Sequence, residues 1–255
     1  KAAIGIYPLD KINLPIIYKA LPGEQIKFRP LGSEKEMNGK QMLSHHQTGI
    51  EYKHLLQGLD KYPVFVDSKN KVLSMPPIIN SHETGKVDIN TKEVFIECSG
   101  FNYNTLNKIL NIVVTSLEGY GGKIYQMNVK YFKTSLTPDF TTEKMKISLD
   151  RTNKLLGITL KEKDLKILLE KMGYQYNNGI VEIPAYRTDI LHEVDLIEDV
   201  AIAYGYDKFV PEIPEISTIG EVDRKEIIKQ KIANILIGLQ LLETSSYHLT
   251  TKDTI

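Results

Sequence analysis

Four acidic side chains in one short segment have the types and the spacing that could bind a metal ion. Asp195, Glu198 and Asp199 stand at positions i, i+3 and i+4, so on a helix their carboxylates share one face. Asp189 lies at or just before the expected helix start, where a short acid can cap free N–H groups. Carboxylate oxygens are the hard donors that magnesium prefers, and waters complete its coordination. The spacing therefore indicates a magnesium site, with a solvated acidic face and a cap as the alternative interpretation.

The helix that would carry these acids belongs to a characteristic order of elements. Its apolar side recurs at helical intervals, at Ile190, Val194, Ile197, Ala201 and Tyr204. Before it, two short helices are expected over residues 149–156 and 161–172, the second opened by a capping box from Thr159 to Glu162. A hairpin that turns at Asn177-Asn178-Gly179 follows them. Two helices, a hairpin and a third helix form the order of a winged helix-turn-helix module.

That order leaves nucleic-acid binding open as an alternative role for residues 146–218. The segment contains 9 basic and 13 acidic side chains, which gives a net charge of −4. Contacts with a phosphate backbone need a basic surface, so the charge disfavours DNA binding by this module.

Residues 1–145 predict a separate domain that mixes strands and helices. A helix is expected over Gly39–Leu56, broken near Gly49, and a hairpin is expected to turn at Asp67-Ser68-Lys69-Asn70. A strand over Val94–Cys98 and a helix over Leu106–Leu117 follow, with Asn102 or Asn104 as the helix cap.

The fold class expected for the whole chain is α+β. The mixed α/β domain of residues 1–145 is followed by the winged module of residues 146–218, with the polar run Lys133–Lys144 as the linker. Residues 219–255 are interpreted as the start of a further, truncated domain, opened by an amphipathic helix over Val222–Leu242.

Composition excludes several classes of protein. The chain has 32 basic and 32 acidic residues, no signal-like start and no apolar run approaching the length of a membrane span. A single cysteine, Cys98, excludes an intramolecular disulfide framework. His45, His46 and His82 lack a second ligand at zinc-like spacing, and no nucleophilic triad or phosphate-binding loop is present.

The amino-acid sequence of several segments resembles the beta subunit of phenylalanine–tRNA ligase, in its archaeal and eukaryotic form. The segments are RTDILHEVDLIEDVAIAYGYDKFVPEIP from Arg187, KISLDRTNKLLGITL from Lys146, KYPVFVDSKNKVLSMPPIIN from Lys61, VFIECSG from Val94 and the opening KAAIGIYPLDKI. They occur in the expected order across essentially all 255 residues. The chain is expected to be incomplete at both ends.

The resemblance implies a cytoplasmic ligase that joins phenylalanine to its tRNA with ATP and magnesium. It implies an α2β2 tetramer in which the alpha subunit carries the aminoacylation site, so this chain alone is not expected to charge tRNA. The implied partners are the alpha subunit and tRNA(Phe), with no membrane and no DNA. It also implies that Asp189, Asp195, Glu198 and Asp199 bind magnesium shared with the alpha subunit.

The resemblance further implies that the first domain hydrolyses tyrosine wrongly attached to tRNA(Phe). An apolar synthetic pocket rejects an added hydroxyl by only about 100-fold, so a second pocket that binds this hydroxyl can remove the errors. The expected lining is Met75, Thr84, Glu97 and Asn102. Glu97 facing solvent and Asn102 capping a helix are the structural alternatives. Relatives tend to have an acid and a hydroxyl residue where this chain has Asn102 and Asn104, which puts the strength of editing in question.

Two functions from other classes stay open at this point. One is a non-catalytic scaffold, in which the first domain only helps the subunits assemble. The other is a stand-alone winged-helix protein that binds nucleic acid. A closed, packed cleft beside Pro76-Pro77 would favour the scaffold.

Overall fold

The structure, a computed structural model, describes residues 2–131, 133–213 and 219–252. Two compact units are present, Lys1–Lys208 and Phe209–Ile255. Helices and strands mix along the first unit, so the predicted α+β class is confirmed. The division into domains at residues 145 and 218 stays a prediction.

The first part of the larger unit contains ten short strands and four helices in its described residues. The strands are β1 (Ala2–Pro8), β2 (Ile17–Leu21), β3 (Lys27–Phe28), β4 (Met37–Asn38), β5 (Tyr62–Val66), β6 (Val72–Met75), β7 (Ile79–Asn80), β8 (Val94–Gly100), β9 (Met127–Lys130) and β10 (Thr134–Thr137). The helices are α1 (Gly39–His45), α2 (Gln47–Tyr52), α3 (His82–Gly85) and α4 (Tyr103–Gly119).

Antiparallel pairing organises these strands. One sheet has the order β2-β5-β6-β7, and β1 pairs with β8 although the two are far apart in sequence. The strands β3 and β4 form one further pair, and β9 and β10 form another. The core beneath the four-stranded sheet is lined by Ile26, Met42, Val64 and Met75.

The predicted hairpin between β5 and β6 is confirmed, and its turn is fixed by one buried carboxylate. Asp67 accepts hydrogen bonds from the backbone N–H groups of Lys69 and Lys71, at 2.9 and 2.8 Å. Asn70 adopts a left-handed φ of 62°, which asparagine tolerates better than most residues. A sequence rich in turn formers therefore gave a correct local prediction.

The long helix predicted over Gly39–Leu56 breaks at a different residue from the one expected. His46 separates α1 from α2 with extended backbone angles, whereas Gly49 lies inside α2. A Cβ on Gly49 would lie 1.8 Å from the carbonyl oxygen of Met42. Glycine at this position therefore permits close packing of the two helices rather than marking the break.

The second part of the larger unit has the predicted order of two helices, a hairpin and a third helix. Its elements are β11 (Glu143–Lys146), α5 (Leu149–Leu156), α6 (Glu162–Lys171), β12 (Gln175–Asn177), β13 (Ile180–Ile183) and α7 (Glu193–Tyr204). Asn178 and Gly179 have positive φ angles of 46° and 78°, as a tight hairpin turn requires. Leu165, Leu169, Leu196 and Val200 pack in the core of this module.

Two local predictions differ from the structure here. Asp164, rather than Glu162, reaches back to the N–H of Lys161 at the start of α6. The segment Lys133–Lys144, expected to be a linker, contains β10 and the first residues of β11. Threonines and an isolated leucine in this polar run suffice for an edge hairpin because the backbone pairing with β9 supplies the hydrogen bonds.

The smaller unit contains α8 (Arg224–Gly238), which is shorter than the predicted helix over Val222–Leu242. Asp223 caps it by accepting a hydrogen bond from the N–H of Lys225 at 2.7 Å. Its apolar residues, including Ile232 and Ile235, are exposed. Within the described ranges, no helix is both long and apolar enough to cross a membrane.

Candidate functional site

The carboxyl group of Glu97 lies inside the first domain, so its solvent-facing alternative is wrong. The register of β1 and β8 places Glu97 opposite Gly5, and the hydroxyl of Tyr7 donates to Glu97 Oε1 at 3.1 Å. A Cβ on Gly5 would lie 2.3 Å from Tyr7 Oη and 2.6 Å from Glu97 Oε1. The missing side chain of Gly5 therefore makes room for the contact between Tyr7 and Glu97.

Burial gives this carboxyl group an unusual proton affinity. Desolvation raises the pKa of Glu97 from 4.5 to about 7, although the hydrogen bond from Tyr7 and the nearby Ser99 hydroxyl partly oppose the rise. Glu97 Oε2 has no hydrogen-bond partner of normal geometry among the described residues, and the same holds for Ser74 Oγ and Ser99 Oγ. Near neutral pH the group can therefore either donate or accept a hydrogen bond.

The hydroxyl of Tyr7 lies between two acceptors. Asn80 Oδ1 is 3.3 Å from it, slightly farther than Glu97 Oε1. One hydroxyl carries one proton, so it can donate to only one of them at a time. Burial, followed by the nearby Glu97 charge, raises the pKa of Tyr7 and keeps it neutral. The cluster of Tyr7, Asn80 and Glu97 was not found from the sequence, because it joins strands that are separated by most of the domain.

The other predicted lining residues have different surroundings. Met75 is fully buried in the apolar core. Thr84 is also buried, but its hydroxyl donates to the carbonyl of Val72 at 3.1 Å. Asn102 is exposed and caps α4 by accepting a hydrogen bond from the N–H of Thr105 at 2.9 Å. Asn102 is thus a helix cap, which was the alternative to a role in the pocket. That Met75, Thr84, Glu97 and Asn102 bind a substrate stays a prediction.

The surroundings of Pro76-Pro77 are closed. Met75 and Pro76 are buried, and Pro77 is half-buried. Helix α3 covers the ring of Tyr7, because a Cβ on Gly85 would lie 3.6 Å from two of its ring carbons. A packed cleft is the geometry expected of a scaffold.

Arg187 is the residue that organises the acidic segment. Its guanidinium group donates to both carboxylate oxygens of Asp189, at 3.0 and 2.7 Å, and to Asp199 at 2.7 Å. The same group lies over the ring of Tyr174, 5.2 Å from its centroid. Arg187 lowers the pKa of Asp189, and the bond to Asp189 raises the pKa of Arg187. An arginine two residues before Asp189 was the available sequence signal, and it was missed.

The three acids of α7 differ in burial and in hydrogen-bond partners. Asp199 is buried and also accepts a hydrogen bond from the hydroxyl of Tyr174. Asp195 accepts from the backbone N–H groups of Leu191 and His192 at 2.8 and 2.7 Å, which lower its pKa. Glu198 is exposed. Asp195, rather than Asp189, therefore caps the start of α7.

These contacts decide whether the acids fit a magnesium ion as they stand. Among the residues that the structure describes, no three His, Cys, Asp or Glu side chains form a group that could hold a metal ion. Asp189 and Asp199 share a guanidinium group instead, and Asp195 caps a helix. The described conformation therefore does not fit a site of three or more carboxylates.

Comparison with known proteins identifies the module that carries these acids. Residues 145–206 match the family model described as the tRNA synthetase B5 domain. The whole chain is 40% identical over 258 residues to the phenylalanine–tRNA ligase beta subunit of Thermococcus sibiricus, covering 99% of this chain and 46% of that protein. The resemblance is confirmed: this chain is similar to phenylalanine–tRNA ligase beta subunits along nearly all of its length.

Other relatives of the same kind agree. The beta subunit of Methanococcus aeolicus is 40% identical over 260 residues, covering 99% of this chain and 47% of that protein. A crystal structure of an N-terminal fragment of the phenylalanyl-tRNA synthetase beta subunit from Pyrococcus horikoshii matches with a TM-score of 0.76 and 44% identity. That match covers 81% of this chain and 60% of the solved fragment. The chain thus spans about half the length of the ligase beta subunits that it matches.

Proposed function

We propose that this chain is the amino-terminal part of a phenylalanine–tRNA ligase beta subunit. The observation that carries this proposal is the 40% identity with a named beta subunit along 99% of the chain. The whole enzyme would be a cytoplasmic α2β2 tetramer that attaches phenylalanine to tRNA(Phe) with ATP. Its aminoacylation site would lie on the alpha subunit, so this chain alone would not charge tRNA.

For the first domain we propose hydrolytic removal of tyrosine from wrongly charged tRNA(Phe). The support is the buried carboxyl group of Glu97, which already binds one phenolic hydroxyl, that of Tyr7, and has a second oxygen without a normal partner. A pocket that binds a substrate hydroxyl discriminates strongly, because phenylalanine would leave its polar group unpaired. Glu97 would recognise the tyrosine hydroxyl, which phenylalanine lacks.

Deacylation of tyrosyl-tRNA(Phe) by the assembled tetramer tests the editing proposal. We expect hydrolysis, and we expect Glu97→Ala to reduce the preference for tyrosyl-tRNA over phenylalanyl-tRNA. Glu97→Gln keeps the shape of the side chain and guards against a loss that comes only from misfolding. Glu93→Ala, at an exposed position before the same strand, is the matched control. Unchanged discrimination in both Glu97 variants would remove Glu97 from recognition.

The second candidate is a scaffold without hydrolytic activity. The packed surroundings of Met75 and Pro76, and the use of Glu97 by Tyr7, favour it. A scaffold predicts no deacylation of tyrosyl-tRNA by a tetramer that still aminoacylates. Editing predicts deacylation, and it also requires that substrate binding open the cleft.

Magnesium is proposed as a ligand of the assembled enzyme rather than of the isolated chain. The support is the chemistry of the four donors. Each of them is a carboxylate, at Asp189, Asp195, Glu198 and Asp199. Asp189 and Asp199 would have to exchange the guanidinium of Arg187 for the ion. The isolated chain should therefore bind magnesium weakly.

A further inference from the structure

A strip of exposed aromatic and lysine side chains follows α4 and the hairpin of β9 and β10. We define the aromatic–lysine strip as Phe101, Tyr120, Lys123, Tyr125, Lys130 and Lys133. Its aromatic members are 77%, 92% and 74% exposed, in chain order. Exposed apolar side chains that share one surface commonly mark a site that binds a partner, whereas scattered ones need no explanation, so the arrangement of the strip decides between the two.

The elements place the strip along one helix. Phe101 lies just before α4 and Tyr120 directly after it, so the 17 residues of the helix separate them by about 25 Å. The hydroxyl of Tyr103, at the start of α4, lies 3.1 Å from Ser135 Oγ in β10. The chain from Tyr120 therefore returns along the helix, past Lys123 and Tyr125, to the hairpin beside the helix start.

The charge of the strip is positive and locally unbalanced. The segment 119–138 contains three lysines and no acidic residue. None of the three forms an ion pair with the described part of the chain. Residues 1–145 carry 18 basic and 14 acidic side chains, while residues 146–218 carry 9 and 13. The strip thus lies in the half of the chain where an anionic partner is electrostatically favoured.

Aromatic rings together with lysines suit one anionic partner in particular. Single-stranded RNA presents unstacked bases, which stack on exposed rings, and phosphates, which lysines neutralise. An acidic protein surface would use the lysines but would gain less from the flat faces of the tyrosines. We propose that the aromatic–lysine strip binds a single-stranded segment of RNA. That this RNA belongs to tRNA rests on the proposed function, whereas binding itself does not.

The lysines are tested with this chain and a fluorescently labelled oligouridylate of roughly 12 nucleotides, within the site sizes of single-strand-binding domains. Replacing Lys123, Lys130 and Lys133 by glutamine should lower the slope of log K against log salt by about 2, at about 0.7 per contact. The control replaces Lys154, Lys163 and Lys171 by glutamine. These lysines are exposed in the second module, and their replacement removes the same amount of charge. An equal loss in both triple variants would reduce the effect to net charge and overturn the proposal.

The aromatic contribution is tested separately at one position. Tyr125→Leu removes the ring and should weaken oligouridylate binding by about fivefold or more, whereas Tyr125→Phe keeps the ring and should bind almost as the parent chain does. Thermal unfolding of both variants checks that the fold is retained. Equal affinities of the leucine and phenylalanine variants would exclude stacking and overturn the proposal.

Two further outcomes separate the possible partners and the two proposals. If the triple lysine variant binds oligouridylate normally but fails to assemble with the alpha subunit, the strip is a protein interface and the RNA proposal is wrong. If the strip binds RNA but the assembled tetramer does not aminoacylate, the strip stands and the proposed function fails. If the tetramer aminoacylates but every strip variant binds RNA as the parent chain does, the proposed function stands and the strip proposal is wrong.

Discussion

At the scale of single residues, the buried carboxyl group of Glu97 predicts a specific dependence of stability on pH. Its pKa in the folded chain is about 7, above the ordinary 4.5, so folding favours the protonated form. The stabilisation from this group is complete below pH 4.5 and is lost as the pH rises through 7. At 1.36 kcal/mol per pKa unit, the loss approaches about 3 kcal/mol.

Glu97→Gln isolates this effect, because glutamine has the same shape and does not titrate. The free energy of unfolding of the parent chain, relative to this variant, should fall by up to about 3 kcal/mol between pH 5 and pH 8. Urea unfolding at several pH values measures it. The depressed pKa values of Asp67, Asp189 and Asp195 act in the opposite direction, but they are common to both proteins and cancel. A difference that does not change with pH would contradict the burial of Glu97.

Arg187 gives a second prediction at this scale. Replacing it by methionine leaves the buried carboxylate of Asp199 without its guanidinium partner, and breaking a buried pair in this way costs about 3–5 kcal/mol. Chemical unfolding should show that adding Asp199→Asn recovers part of this loss. Arg151→Met breaks a more exposed pair with Glu193 and should cost no more than about 1 kcal/mol. Equal effects of the two arginine variants would show that Arg187 has no special structural role.

At the scale of elements, the close pairing of β1 with β8 depends on a glycine. An alanine at Gly5 would place its Cβ against both Tyr7 and Glu97, at 2.3 and 2.6 Å, so the strands or the side chains must move. Overpacking of this kind costs about 1–3 kcal/mol. Gly119→Ala is the control, because a Cβ at the end of α4 meets nothing within 4 Å. Thermal unfolding should show a lower stability for Gly5→Ala than for Gly119→Ala. If Gly5→Ala leaves the stability unchanged, the contact between Tyr7 and Glu97 is loosely packed.

Local elements were predictable from sequence, whereas the contacts between distant elements were not. The turn at Asn178-Gly179 and the cap at Asn102 depend on a few neighbouring residues: the turn was predicted, and Asn102 was one of the two caps proposed. The partnership of Tyr7 with Glu97 spans 90 positions and depends on which strands pair. Helical spacing placed the acids of α7 correctly on one element, but it could not show that Arg187 binds Asp199 of that helix together with Asp189.

At the scale of the whole molecule, this chain spans about half the length of the ligase beta subunits that it matches. The exposed apolar side chains of α8 are typical of a surface that binds a partner. The proposed magnesium site also depends on a partner, because the acids do not converge on one point in the described residues. Its test therefore belongs to the assembled tetramer.

The prediction at this scale is that Asp195→Asn combined with Glu198→Gln weakens assembly of the α2β2 tetramer at low magnesium. Asparagine can still accept the hydrogen bonds from Leu191 and His192, so the start of α7 should persist. Removing two carboxylates should lower the affinity for a hard cation, which prefers anionic oxygen donors. Sedimentation across a magnesium series, with subunits mixed at fixed concentration, measures the shift.

The control for this prediction removes the same charge elsewhere in the module. Asp150→Asn combined with Glu170→Gln changes two exposed acids on α5 and α6 instead of α7. If only the Asp195 and Glu198 pair requires more magnesium for assembly, these acids act through the ion. If both double variants assemble with the magnesium dependence of the parent, Asp195 and Glu198 do not act through an ion, and Arg187 is the permanent counter-ion of Asp189 and Asp199.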